Sequence, residues 1–162
     1  MTGGGLACMT GAALLCLQQA ALADSSPCDP DSGLKQYIGS YDTDALLRDP
    51  RIDGPLRTLL GEQYSQLINN LDVRGSVDLV SGDLSLAGNA IHGGGLEEAV
   101  VCVSLFDGAV SAALYTQGKI SVYSRDQDYS AQPLCIKDWI TQVNSGHTDR
   151  RRIPDNTSMA PN

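Results

Sequence analysis

Residues 97–124 read EEAVVCVSLFDGAVSAALYTQGKISVYS. Three apolar segments, EEAVVCVSLF, AVSAALYT and KISVYS, are separated by Asp107-Gly108 and Gln117-Gly118. Asp-Gly and Gln-Gly between strand-like runs are hairpin signals, because a tight turn between antiparallel strands needs positive φ. The stretch therefore predicts an antiparallel meander. Working upstream, GSVDLVSGDLSLAGNA (75–90) alternates Val77 and Leu79, then Leu84 and Leu86, across a Ser81-Gly82-Asp83 turn, which adds further strands.

Before residue 72 the hydrophobic period changes from two to between three and four. Ile52, Leu56, Leu59, Leu60, Tyr64, Leu67, Ile68 and Leu71 fall on one face of a helix, so the stripe is core facing the sheet. Pro50 suits the first turn of this helix, and Gly54-Pro55 could delay its start. A short helical turn precedes it in DTDALLRDP (42–50), where Asp42 or Thr43 can cap. Downstream, IKDWITQV (136–143) puts Ile136, Trp139, Ile140 and Val143 on one side of a short C-terminal helix. The predicted class is α+β: an antiparallel meander, one long amphipathic helix packed across it, and a short C-terminal helix. Tyr115 and Tyr123 on the meander are expected to pack in the core.

The chain has 162 residues, 42% of them apolar and 19% charged, which suits one globular domain. Residues 1–23 contain no charged side chain, hold an apolar block from Leu6 to Leu17, and end in Ala21-Leu22-Ala23. This reads as an export signal cleaved before Asp24, with no membrane anchor left in the mature chain and a periplasmic destination. The domain is then expected over 24–144, and 145–162 reads as a polar tail without regular structure. Export leaves Cys28, Cys102 and Cys135 in an oxidising compartment. Cys28 and Cys135 both sit in loop-like sequence and are the preferred disulfide, with Cys102 to Cys135 as the alternative. No C-x-x-C spacing occurs, so no metal site is expected and no cofactor is implied.

The formal net charge is -8, and only Arg150-Arg151-Arg152 forms a basic run. That balance argues against a nucleic-acid partner and suits association with a basic one, although solubility alone would also account for it. The remaining feature is GNAIHGGGLEEA (88–99), where a histidine stands beside three glycines between two strands. Residues 88–95 exceed the length of a tight hairpin, so a protruding loop is expected.

These segments resemble the bacterial inhibitor of vertebrate lysozyme family, Ivy, over roughly residues 52–124. The resemblance rests on DGPLRTLLGEQYSQLI (53–68), LDVRGSVDLV (71–80), GDLSLAGNAIHGGG (82–95) and the meander itself. It implies a periplasmic protein with a helix on one face of an antiparallel sheet, and a loop histidine inserted between the catalytic carboxylates of a muramidase. The family loop reads Cys-Lys-Pro-His-Asp-Cys. Here GNAIHG stands near that place, so the role would fall on His92, with Gly93 where the family has an acid and neither loop cysteine present. The chain is also similar to type VI secretion immunity proteins, small exported domains that plug cell-wall amidases or muramidases. Both resemblances imply a peptidoglycan hydrolase as partner.

The expected partner-binding residues are His92, Asn89, Ile91, Gly93, Gly94, Gly95, Glu97 and Glu98. The imidazole can hydrogen-bond a catalytic acid or base, Asn89 can donate and accept, and Glu97 and Glu98 can meet basic residues at a cleft rim. An enzyme is not expected. A triad would have to use His92 or His147, and no G-x-S-x-G surrounds any serine. The alternative to inhibition is an envelope-associated structural or binding domain with no inhibitory activity. A homodimer through sheet edges is open to either reading.

Overall fold

The computed structural model describes residues 33–92, 95–145 and 152–161. The proposed export signal, Cys28, Gly93, Gly94 and His147 lie outside the described residues. After a short 3-10 turn, Lys35–Tyr37, come α1 (Thr43–Arg48), α2 (Pro50–Leu60), a 3-10 turn (Gly61–Gln63) and α3 (Tyr64–Asn69). The strands are β1 (Val73–Arg74), β2 (Asp78–Val80), β3 (Asp83–Asn89), β4 (Glu97–Ser104), β5 (Val110–Thr116) and β6 (Lys119–Tyr123). The chain then forms a 3-10 turn, Tyr129–Ala131, the helix α4 (Leu134–Val143) and a last strand, β7 (Thr157–Met159).

The starts of α1 and α2 are set by side-chain caps. Asp42 Oδ1 accepts from the Ala45 N–H at 3.1 Å, and Asp49 Oδ1 accepts from the Arg51 N–H at 3.0 Å. Each satisfies a donor that the first helical turn leaves unpaired. Pro50 follows Asp49 at the first position of α2, and the helix runs on through Gly54 and Pro55. The expected single long helix is instead broken after Leu60. Gly61 adopts φ +53°, which a helix cannot continue through, and α3 resumes three residues later. The apolar stripe survives the break: Ile52, Leu56, Leu60, Leu67 and Leu71 are buried, with Tyr64 and Ile68 packed against them. Leu59 is the exception, half-buried beside a surface groove.

The sheet order is β1-β3-β4-β5-β6-β7, with β2 also paired to β3. All pairs are antiparallel except β6 with β7. The parallel strand is a correction to the expected antiparallel sheet. It is built from Thr157–Met159, residues that the polar composition of the C-terminus had placed in a tail. Short polar strands carry little periodicity, and β7 is held instead by its ladder and by flanking bonds, Ile120 N–H to Asn156 O at 2.8 Å and Ala160 N–H to Val122 O at 2.8 Å.

Helices cover both faces. Ala99, Val101 and Val103 of β4 point into the core shared with α1 to α3, while Val100 and Cys102 point into a second core with Cys135, Ile136, Trp139 and Ile140 of α4. Burial on both faces explains why AVVCV reads as a continuous apolar run. Tyr115 and Tyr123 pack partly buried against these cores. The same alternation settles the disulfide, which joins Cys102 to Cys135 with Cα atoms 6.3 Å apart. The preferred Cys28–Cys135 pairing is thus overturned: strand parity sends Cys102 to the α4 side, where Cys135 occupies the first turn. No helix among the described residues is long and apolar enough to cross a membrane.

Candidate functional site

The loop between β3 and β4 is shorter than its glycine content suggests. Gly88 and Asn89 belong to β3, opposite Ala99 and Glu98, and the Ala90 N–H donates to Glu97 O at 3.0 Å. Gly88 is required by packing and not by φ: a Cβ there would stand 2.6 Å from the Val73 carbonyl oxygen of β1. Beyond the ladder, Ile91 and Leu96 are each 61% exposed and His92 is exposed.

Strand alternation then divides the expected site residues. His92, Ile91 and Glu97 line a cleft of about 420 Å³ on the α3 side, together with Leu96, Asp72 and Gln117. Asn89, Gly95 and Glu98 line a second cleft of about 510 Å³ on the α4 side, beside Arg74 and Trp139. The neighbouring glutamates therefore face different clefts. The Asn89 amide donates to Ala90 O at 3.1 Å, so its first task is local, at the strand's end.

Sequence reading missed Leu96, Asp72, Gln117 and Asn70. Leu96, an aliphatic residue between the glycines and the first strand residue, was available as a signal. Asp72 and Gln117 come from the end of the helical segment and the β5–β6 turn, and only the topology brings them to the loop. The turn is tied to the loop directly, Gln117 N–H to Leu96 O at 3.2 Å. Asn70 is fully buried under this end of the sheet. Its Nδ2 donates to the carbonyls of Glu98 at 3.1 Å and Tyr115 at 3.3 Å, and its Oδ1 accepts from Gln66 Nε2 at 2.6 Å. Glu98 and Tyr115 are partners in register, so one amide joins the end of α3 to β4 and β5 where the loop leaves them.

Elsewhere, a cavity of about 650 Å³ lies at the far end of β5 against Pro55, Leu59 and Val110. Its lining holds no acid or histidine, so it offers shape without acid–base chemistry. Asp83, near Cys135, has its carboxyl pushed up by burial and by the charge of Asp107. Among the described residues no group of three His, Cys, Asp or Glu side chains could hold a metal ion.

No curated protein and no solved structure matches the chain. The sequence model of one family does, the inhibitor of vertebrate lysozyme (Ivy) family, over residues 51–145, a span that runs from α2 through the exposed loop to the end of α4. The chain belongs to the inhibitor of vertebrate lysozyme family.

Proposed function

We propose that this protein is a periplasmic, non-enzymatic inhibitor that blocks a lysozyme-type muramidase by inserting the loop at 91–96 into its cleft. The observation that carries this reading is His92, exposed on a loop held at both ends by backbone hydrogen bonds and lying within the family's span. An imidazole can donate to a carboxylate from one ring nitrogen, and a bulky loop in the same cleft excludes the glycan. Asp72 and Glu97 beside His92, on a chain of net charge -8, favour a partner with a basic rim. The proposed export signal brings the protein to the compartment where peptidoglycan is cut.

A second reading keeps the act and changes the target. The loop lacks the family's flanking cysteines and has Gly93 where the family has an acid. This departure favours a different hydrolase, such as an amidase or muramidase delivered by type VI secretion, with the protein as its immunity factor.

The test is lysis of purified peptidoglycan by a vertebrate lysozyme and by a panel of muramidases and amidases, with and without the purified protein. Inhibition of a muramidase that falls at least about 10-fold in the His92→Ala variant supports the reading. Inhibition confined to amidases moves the assignment to the second reading, and a His92→Ala variant as potent as the parent removes the loop from the mechanism.

A further inference from the structure

Ile91 and Leu96 belong to neither buried core, and each leaves 61% of its surface in water. Single exposed aliphatic residues are ordinary on any protein. These two bracket His92 along the chain and share a cleft with it, at a point where the strand ladder has ended and the fold makes no demand for apolar side chains.

Their chemistry can be matched to a partner. A histidine alone contributes a hydrogen bond or two to a complex, and much of that gain offsets desolvation. Tight binding needs apolar area removed from water. The glycan cut by a muramidase is polar over most of its surface. Its principal apolar features are the methyl groups of its acetamido substituents and, on alternate sugars, of a lactyl ether. A cleft that orients this polymer must hold those methyls in small hollows near its catalytic carboxylates.

Resting on the loop-insertion reading, we propose that Ile91 and Leu96 occupy these methyl-binding hollows, one on either side of His92. The loop is then a mimic of the glycan's acyl groups and not only a steric plug. The partner class follows: a muramidase whose cleft takes N-acetylated sugars, with basic residues at the rim facing Asp72 and Glu97. Enzymes whose clefts hold peptide and no acetamido group would lack the complementary hollows.

The experiment measures inhibition of a vertebrate lysozyme by the parent and by Ile91→Ser, Leu96→Ser, the double variant, and the conservative pair Ile91→Val and Leu96→Ile. Each serine variant is expected to weaken inhibition about 10-fold and the double about 100-fold, with the conservative variants within about 3-fold of the parent. Both side chains are mostly exposed, so thermal unfolding should match the parent, which separates lost contact from lost fold. The N-acetylglucosamine trimer should displace the parent competitively. A double variant within about 3-fold of a parent that inhibits overturns the mimicry while loop insertion stands, whereas a complex that the trimer leaves intact overturns insertion into the cleft and the mimicry with it. A parent that inhibits no muramidase overturns the loop-insertion reading, and the mimicry with it.

Discussion

Asn70 is the residue whose removal should disturb the loop most without touching it. Its amide is fully buried and makes three hydrogen bonds, two donated to the Glu98 and Tyr115 carbonyls and one accepted from Gln66. In Asn70→Ala, Gln66 is only half-buried and can turn to water, so the accepted bond is nearly neutral to lose. The two donated bonds are worth about 0.5–1.5 kcal/mol each, and the small void adds about 1 kcal/mol. The expected loss is about 2–4 kcal/mol, or roughly 8–15 °C in Tm for a domain of this size. Urea unfolding gives the first number and a thermal melt the second. Asn70→Asp separates the hydrogen bonds from the void, because it keeps the shape and reverses the donor. An ionised carboxylate facing two carbonyl oxygens is repelled, so folding raises its pKa above the unfolded value of about 3.9. The penalty is then small below about pH 4, where the protonated acid can donate one bond, and grows as pH rises through the folded pKa. A loss under about 0.5 kcal/mol for Asn70→Ala, or an Asn70→Asp penalty that does not change with pH, would refute the account of this amide.

Three further outcomes are expected. Gly88→Ala forces a methyl against the Val73 carbonyl, 2.6 Å from the ideal Cβ, and should cost about 1–3 kcal/mol in urea unfolding, whereas Gly54→Ala, with open space around it in α2, should be neutral or stabilising. The Arg51 guanidinium, bonded to Asp49 at 2.6 Å, holds that carboxyl at about 2 instead of 3.8. A depressed pKa stabilises the fold above the unfolded value and loses that effect as pH falls through about 2. Asp49→Asn keeps the cap, so with Arg51 43% exposed it should cost about 1–2 kcal/mol at pH 7 and close to nothing near pH 2 by denaturant titration. Reduction of Cys102–Cys135, which closes a loop of separation 33, should lower stability by about 3–4 kcal/mol, and Cys102→Ala should reproduce the loss without reductant.

The fold was legible where burial imposes a period. The helical stripe from Ile52 to Leu71, the turns at Asp107-Gly108 and Gln117-Gly118, and the apolar face of IKDWITQV all write their environment into spacing. What escaped has little spacing to read. The helix break at Gly61 turns on a single φ, β7 is three residues held by backbone bonds, and the parity that pairs Cys102 with Cys135 exists only once β4 has helices on both faces. The site divides in the same way. His92 and Ile91 could be found on the loop from composition, but the separation of Glu97 from Glu98 needs the register, and Asp72 and Gln117 join His92 only through the topology.

The absence of loop cysteines bears on how such a loop can bind at all. A disulfide across the base of a loop lowers the conformational entropy lost on binding, and backbone bonds at the same place act in the same direction. Here Ala90 is already bonded to Glu97, which brings the two ends of the segment together, so closure itself costs little. The remaining constraint lies in the platform. Asn70 fixes the ends of β4 and β5, the β5–β6 turn holds Leu96 through Gln117, and the disulfide anchors β4 to α4 toward the strand's far end. In this chain the ends of the loop are therefore fixed by the platform, through β4, which begins at Glu97, and the β5–β6 turn, which holds Leu96. Weakening that platform should raise the dissociation rate of a bound hydrolase before it changes any contact the loop makes.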